Sequence, residues 1–270
     1  MDPISLTLFS GAIVSHKTIE RILGPTADYL GTELQSWVEK RRENVTRIFN
    51  KADKLLGDKG DKDGAVPPRV LRQIVEEGSY CEEDLTADYF AGVLASSRTE
   101  VSRDDRGAAF AHLISRLTSY EIRAHYILYG TVKKIFDGSG LSPVDPSAPD
   151  KLQVCVPMGP FVEAMDFSPR EPLEAILAHS VFGLERERLI GGRFAYGDEG
   201  GVRWMYPDAK GQNLIFQPIP SGIELFLWAH GAGDVPAANF LKPEVQLSSS
   251  ASIVLPVGAH ATQQPNLAIR

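Results

Sequence analysis

Residues Ser15 to Leu56 read SHKTIERILGPTADYLGTELQSWVEKRRENVTRIFNKADKLL. Mostly apolar side chains recur in this stretch at intervals of eleven residues, in three series: Leu23, Leu34, Val45 and Leu56; Ala27, Val38 and Phe49; Thr26, Trp37 and Ile48. Because eleven residues make three turns of about 3.67 residues each, the apolar side of such a helix hardly drifts. The repeat predicts a long amphipathic helix that bends at Gly24-Pro25 and stops at Gly57.

The second half of this helix is rich in basic residues. Five of them are candidates for a surface that binds an acidic partner: Lys40, Arg41, Arg42, Arg47 and Lys51. The alternative is a solvated outer face with pairs such as Glu43 with Arg47. The following segment, Gly57–Glu100, has ten acidic and five basic residues, so it could also cover the basic half.

Further helices are predicted after the long one. Pro67-Pro68 marks the start of a helix with Val70, Leu71, Ile74 and Val75 on one face. Helices are also expected over residues 84–97 and 103–117. Thr118 to Glu121 forms a capping arrangement for another helix that runs to Phe136. The sequence therefore predicts a helical domain over residues 1–137, built on the long helix 15–56.

The second half of the chain has a different pattern. Residues 138–150, GSGLSPVDPSAPD, predict a linker. A short strand is expected over residues 152–156, and a helix over 169–187 with apolar side chains at Leu173, Ile176, Leu177, Val181, Phe182 and Leu184. Residues 193–196 and 202–206 flank Gly-Asp-Glu-Gly-Gly and predict a hairpin. Another strand over 213–217 and a helix over 218–229 complete a winged-helix-like α+β domain over residues 151–231.

Residues 232–270 form a C-terminal extension. Two runs in it are strand-like, Val245–Leu247 and Ser252–Val257, and its end is polar. The extension either adds a strand to its own body or a partner, or is a mobile tail. The predicted fold is thus mainly α, a helical N-terminal unit followed by a small winged-helix-like α+β domain.

The order of these elements resembles one protein family. The sequence GPTADYLGTEL…WVEKRRENVTRIFNKADKLL, the later VPPRVLRQIVEEGSYCEEDLTADYFAGVLASS and the step from Leu117 to Glu121 are similar to the bacterial abortive infection alpha (Abi-alpha) family. The resemblance covers residues 18–231, and the tail beyond Gly231 departs from it. It implies a bacterial protein of antiviral defence and phage resistance, and it supplies no catalytic residues. Its expected mode of action is protein contact, with a partner or by self-association, or an unidentified toxic output.

A winged helix also invites a DNA-binding interpretation. Four basic residues would then contact nucleic acid: Arg186, Arg188, Arg193 and Arg203. However, Lys151–Gly231 contains seven basic and ten acidic residues, and Asp198 and Glu199 occupy the expected wing tip. Because phosphate binding requires an excess of positive charge, a DNA-binding regulator is the alternative and not the favoured function.

A membrane-damaging effector is the other alternative. Ile4–Val14 is a sustained apolar run, but its eleven residues are too few for a bilayer span of about 20. The run also lacks the basic polar face of an interfacial helix, and Asp2 is not the basic start of a signal peptide. We expect a cytoplasmic protein in which Ile4–Val14 is a buried helix.

Composition and motifs argue against catalysis. The chain of 270 residues is 43% apolar, has a net charge of -7, and contains two cysteines and six histidines that are scattered singly. No nucleophile elbow, phosphate loop or zinc motif is present, and GDKGDKDG at 57–64 lacks the first ligand and the glutamate of a calcium loop. We therefore expect no catalytic, cofactor-binding or metal-binding residues, and buried, reduced thiols at Cys81 and Cys155.

Overall fold

The computed structural model describes Arg21 and residues 42–101, 103–248 and 251–270. Its α-helices are α1 (residues 42–56), α2 (Pro68–Gly78), α3 (Asp84–Ser96), α4 (Arg106–Arg116), α5 (Ser119–Phe136), α6 (Ala148–Lys151), α7 (Met158–Met165), α8 (Leu173–Arg186), α9 (Glu199–Val202) and α10 (Pro220–Ala229). The strands are β1 (Val154–Pro157), β2 (Ala195–Gly197), β3 (Asn213–Phe216) and β4 (His260–Ala261). The fold is mainly helical with a small antiparallel sheet, as predicted.

The chain forms two compact units. The first runs to Leu117 and includes Leu227–Asp234 and Leu247–Ala251, and the second comprises Thr118–Phe226, Val235–Gln246 and Ser252–Arg270. This division differs from the predicted boundary at 138–150, because α5 belongs to the second unit. The division falls just before α5, where Leu117 is extended and the Thr118 side chain caps the new helix.

The first unit contains the described end of the long helix. In α1, Val45, Ile48, Phe49 and Leu56 are buried, as the eleven-residue repeat predicts. Gly57 then takes a φ of 47°, a left-handed conformation that favours glycine, and a 3₁₀ turn follows over Gly57–Asp61. The predicted bend at Gly24-Pro25 and the apolar run Ile4–Val14 lie outside the described residues.

The helices α2, α3 and α4 agree with the sequence pattern. Pro68 is the first residue of α2, whose Val70, Leu71, Ile74 and Val75 are buried. The end of α10 also belongs to this unit, and its Trp228 stacks on Phe110 of α4 with ring centroids 4.7 Å apart. A side chain at Gly92 of α3 would put its Cβ 1.9 Å from the carbonyl oxygen of Ala229, so the two helix backbones are in direct contact.

The second unit is built around α5 and the sheet. The strand order is β2-β3-β1-β4, and every neighbouring pair is antiparallel. Tyr129 of α5 is buried, and its hydroxyl donates to the carbonyl of Leu189 at 2.5 Å and accepts from the backbone N–H of Ile219 at 3.2 Å. Burial raises the pKa of Tyr129, so the phenol stays protonated.

The predicted hairpin over 193–206 is wrong in its second half. Residues 199–202 form α9, and β2 pairs with β3 instead. The cause is local: the Asp198 carboxylate accepts a hydrogen bond from the N–H of Gly201 at 3.0 Å, which caps the start of a helix. Val202 and Met205 then pack with Cys155, Ala195 and Ile215 on one face of the sheet.

Two stretches of the C-terminal extension, Val235–Gln246 and Ser252–Arg270, are folded into this unit, but not as predicted. Val245–Leu247 and Ser252–Val257 are not strands, whereas β4 pairs with β1 through Ala261 opposite Val154. Phe240 is fully buried, and the Thr262 hydroxyl donates to the Gln153 side chain at 2.8 Å. The extension therefore adds a strand to its own body, one of the two alternatives drawn from the sequence. Among the described residues, no helix has both the length and the apolar composition that a bilayer span requires.

The contact at Gly92 gives a stability prediction. Gly92→Ala should lower the free energy of unfolding by about 3 kcal/mol, because the new methyl group meets helix backbone that cannot rotate away. Gly159→Ala in α7 is the matched control, since a Cβ there meets nothing within 4 Å, and it should raise the free energy by about 0.5 kcal/mol. Urea unfolding followed by circular dichroism measures both. Equal midpoints for Gly92→Ala and wild type would contradict the close helix contact.

Candidate functional site

A cluster of aromatic side chains lies on the surface of the second unit. Phe182 of α8 is 52% exposed although phenylalanine is usually buried. Its ring meets Phe194 edge-on with centroids 5.5 Å apart and Tyr196 of β2 with centroids 6.0 Å apart. We refer to Phe182, Phe194 and Tyr196 as the aromatic patch.

The helical and strand periods place these rings together. The buried side of α8 carries Leu177, Val181 and Leu184. Phe182 follows Val181 directly, so the turn of the helix points its side chain away from the buried side. Side chains alternate along an extended strand, and Ala195 faces the buried cluster with Val202 and Met205. Phe194 and Tyr196 therefore point to the opposite face, towards α8. The apolar pattern of the helix predicts a buried Phe182, and this prediction is wrong, because Phe182 is exposed.

A buried carboxylate lies beneath α8. Glu121 has no exposed surface, and its Oε2 accepts from the N–H of Thr118 at 2.7 Å in a complete capping box. Its Oε1 accepts from Arg186 at 3.1 Å and lies 3.7 Å from His179 Nε2. A Cβ at Gly183 would fall 1.7 Å from the same oxygen, so glycine is required at this position of α8. These contacts compensate the desolvation of the charge and fix α8 against α5.

The four arginines that were predicted to contact nucleic acid fall into two groups, two with carboxylate partners and two without. Arg186 binds Glu121 and lies 3.5 Å from Glu187, and Arg203 pairs with Glu199 at 2.5 Å. Arg188 and Arg193 are exposed, and neither has an ion pair with any residue that the structure describes. Arg188 has a φ of 54°, the left-handed conformation that usually belongs to glycine after a helix.

Two of the five residues of the predicted partner surface, Arg47 and Lys51, are bound within the chain itself. Arg47 donates to the carbonyls of Cys81 at 2.7 Å and Glu82 at 3.1 Å. Lys51 binds Asp88 at 2.6 Å and Asp84 at 2.9 Å. Burial by itself lowers the pKa of Lys51, but the hydrogen bonds and charges of Asp88 and Asp84 outweigh it and raise that pKa. Arg42 is half-buried in α1, and Lys40 and Arg41 lie outside the described residues.

The first unit also has a cleft of about 260 Å³, lined by Leu55, Leu56, Lys59, Lys62, Asp63, Ala95, Ser96, Arg98, Thr99, Glu100, Gly231 and Asp234. Its central cation is Arg98, whose guanidinium donates to the carbonyls of Arg21, Lys59 and Lys62. All three nitrogens thus hold the chain around the 3₁₀ turn. Lys59 pairs with Asp234 at 3.4 Å. The charges of Arg98, Lys59 and Asp234 therefore serve the fold.

Redox and metal chemistry have no visible basis in the described part of the chain. Both thiols are free and buried, and burial raises the pKa of Cys81 and of Cys155 to about 11, so both remain protonated at neutral pH. Within the residues described, no three His, Cys, Asp or Glu side chains are grouped so that they could hold a metal ion. His125 is buried with Nε2 3.0 Å from the carbonyl oxygen of Gly222, which makes Nε2 a hydrogen-bond donor.

Comparison of the chain with protein-family models, with curated proteins and with solved structures finds no match. The class of the candidate site therefore follows from its geometry. It is a partly exposed aromatic surface beside a buried and fully partnered carboxylate, and Arg193, which precedes Phe194 in the chain, has no ion pair with a described residue. Such a surface is typical of a contact site for another macromolecule.

The conformation of Arg188 can be tested by substitution. Arg188→Gly should raise the free energy of unfolding by about 1 kcal/mol, because glycine takes a φ of 54° without the steric cost of a Cβ. Arg170→Gly is the matched control: Arg170 is an exposed arginine outside the left-handed region, and its replacement should give no gain. Urea unfolding compares the two variants with the wild type. A loss of stability in Arg188→Gly would contradict the described backbone.

The contacts of Lys51 give a second prediction. Lys51→Met should lower the free energy of unfolding by about 2 kcal/mol, because the mostly buried Asp88 loses its cation. Lys54→Met, on the exposed side of the same helix, should change it by less than about 0.5 kcal/mol. Thermal and urea unfolding measure the difference. If both variants unfold alike, Lys51 does not bind Asp88 and remains available for a partner.

Proposed function

We propose that this chain is a non-enzymatic component of bacterial antiphage defence that acts through protein contacts made by the aromatic patch. The defence role rests on the resemblance of residues 18–231 to the Abi-alpha family. The contact role rests on one observation, the 52% exposure of Phe182 within a ring cluster. Burial of such rings against a partner gives a large apolar gain for little loss of side-chain entropy.

A winged-helix arrangement of the second unit is part of this proposal. The supporting order is α5, β1, α7, α8, β2 and β3, with β3 between β1 and β2 in the sheet. Apart from the four-residue helices α6 and α9, this is the order helix, strand, helix, helix, strand, strand that a winged helix has. In this arrangement α8 occupies the place of the recognition helix, and it contributes Phe182 to the aromatic patch.

The alternative is a winged-helix DNA-binding regulator. Arg188 and Arg193 favour it, because both are exposed without a carboxylate partner in the described residues. The outward side of α8 argues against it, since Glu174 and Phe182 are exposed there and Arg186 is held by Glu121. A helix that contacts base edges in the major groove of DNA needs hydrogen-bond donors and cations on its outward side. Protein contact is therefore the better supported function.

A membrane-damaging effector that uses Ile4–Val14 stays a prediction, because that segment lies outside the described residues. It would cause membrane leakage on expression. Leu6→Asp together with Phe9→Asp would abolish that leakage if the apolar run entered the bilayer.

The proposed function is tested by phage challenge of cultures that express the wild type or Phe182→Ser/Tyr196→Ser. We expect the wild type to protect at low phage dose and to let infected cells die at high dose. The double variant should lose at least about tenfold of the protection at low dose, because the contact loses two aromatic rings. Trp204→Ser, which removes another exposed ring of the same unit at 61% exposure, is the matched control and should protect like the wild type.

Equal protection by the wild type and the double variant would reject the aromatic patch as the working surface. Absence of protection by the wild type against a broad phage panel would reject the defence role.

Fluorescence anisotropy with duplex DNA at low salt tests the alternative of a DNA-binding regulator. A salt-dependent affinity that is lost in Arg188→Ala/Arg193→Ala, which leaves the Arg186 contact with Glu121 intact, would favour DNA binding over protein contact.

A further inference from the structure

One side of α8 is exposed along the helix. Four exposed residues follow one another there at intervals of three or four positions: Ala175, His179, Phe182 and Arg186. Residues at this spacing lie on the same side of an α-helix, so they form one face. We refer to these four residues as the outer face of α8. The opposite side of the helix is buried and packs on α5, so the outer face can contact another molecule.

The outer face has a projection and a depression. The ring of Phe182 is 52% exposed and is held from the side by Phe194 and Tyr196, with ring centroids 5.5 and 6.0 Å away. Ala175, which lies about two turns earlier on the same face, has only a methyl group there. A ring that its neighbours already hold loses little freedom when it enters a depression on a partner.

The projection and the depression match each other in a second copy of the chain. The midpoint of Ala175 and Phe182 falls between Ala178 and His179, so a two-fold axis at this point relates two antiparallel helices. Phe182 of each copy then lies opposite Ala175 of the other, and one contact is made twice. In a parallel pair Phe182 would meet Phe182 instead, and the depression would stay empty.

The charges at the two ends of α8 favour an antiparallel pair over a parallel one. Glu174 is exposed at the start of the helix and has no ion pair with a described residue. Arg186 ends the helix, and its side chain stays 56% exposed although it binds Glu121. Its neighbours Glu185 and Glu187 are half-buried, so Arg186 is the charge that this end of the outer face presents. An antiparallel pair brings Glu174 of each copy to the end that carries Arg186 of the other, whereas a parallel pair brings like charges together.

We infer that the outer face of α8 is a self-association surface, on which a second copy of the chain packs antiparallel with Phe182 of each copy against Ala175 of the other. This inference rests on the proposed contact function and names the partner as another copy of the same chain. A single helix face buries less than the roughly 800 Å² per partner of a stable interface, so the dimer is reversible and forms at high concentration.

Sedimentation velocity of the full chain over a series of protein concentrations tests the inference. We expect the wild type to shift from monomer to dimer as the concentration rises. Phe182→Ala and Ala175→Glu should both remain monomeric in the same series, because the first removes the projection and the second places a charge in the depression. Trp204→Ser, which removes an exposed ring elsewhere in the second unit, should dimerise like the wild type.

A swap of the two side chains tests the register of the pair. Ala175→Phe/Phe182→Ala exchanges the projection and the depression, so the ring of each copy again meets a methyl group of the other and the dimer should return. Ala109→Phe/Phe182→Ala is the matched control, since Ala109 is an exposed alanine of another helix, α4, and this variant should stay monomeric. All substituted positions are exposed, and thermal unfolding checks that each variant is folded.

The orientation of the two helices is tested by charge. Glu174→Lys should weaken the dimer at low salt and much less at high salt, because the new cation meets Arg186 of the other copy and salt screens exposed charges. An unchanged or stronger dimer of Glu174→Lys at low salt would overturn the antiparallel arrangement.

Three further results would overturn the inference. The first is a wild type that stays monomeric at every concentration. The second is a dimer that persists in both Phe182→Ala and Ala175→Glu. The third is a dimer that Phe182→Ala abolishes and the swap does not restore, which would reject the pairing of Phe182 with Ala175.

The outcome for the proposed function is separate. If the wild type is monomeric but phage protection depends on Phe182 and Tyr196, the aromatic patch binds a different protein and the proposed function stands. If the dimer forms as inferred but Phe182→Ser/Tyr196→Ser protects like the wild type, self-association stands and its part in defence is rejected.

Discussion

The second unit depends on one buried carboxylate. Glu121 closes the first turn of α5 through its capping box with Thr118 and, with its other oxygen, binds Arg186 of α8. A carboxylate without exposed surface is costly unless its oxygens are satisfied, so this contact fixes the distance and rotation of the two helices. The glycine at position 183 is a consequence, because any side chain there would occupy the place of the Glu121 oxygen.

The rotation of α8 decides what the surface of the second unit offers. With Arg186 bound to Glu121 and Leu177, Val181 and Leu184 inward, the other exposed positions of α8 include Glu174, His179 and Phe182. Two of the four arginines that suggest DNA binding are neutralised by carboxylates of their own chain. An acidic and an aromatic side chain thus remain on the exposed side of α8. This composition is better matched to a protein chain than to a phosphate backbone.

The first unit uses charge differently. Its basic helix α1 is bound by the acidic residues that follow it, since Lys51 binds Asp84 and Asp88 and Arg47 reaches the carbonyls before α3. The excess of acidic residues over Gly57–Glu100 thus complements the basic half of the long helix within one unit. The same residues, considered alone, suggested a surface for an external acidic partner. The sequence could not distinguish a surface for an external partner from a surface covered by the chain itself, because both interpretations start from the same basic residues. They differ only in which carboxylates reach those residues in the folded chain.

The sequence by itself determined the described helices of the first unit, the cap of α5 and the strands β1 and β3. These features depend on local chemistry: the eleven-residue repeat in α1, proline at the start of α2, and the capping residues Thr118 and Glu121. It did not determine α9, where one Asp198 hydrogen bond replaces a strand by a helical turn, or β4, whose pairing with β1 joins residues far apart in the chain.

Tertiary structure alone decided the candidate site. Phe182 belongs to the apolar pattern of its helix, and only the packing of α8 on α5 turns it outward to meet Phe194 and Tyr196. The alternation of Phe194, Ala195 and Tyr196 was a local signal for a strand with aromatic rings on one face. It did not indicate that Phe182 of α8 would lie opposite these rings. Exposure of a side chain depends on which other surfaces cover it, and that depends on contacts between segments that no local pattern encodes.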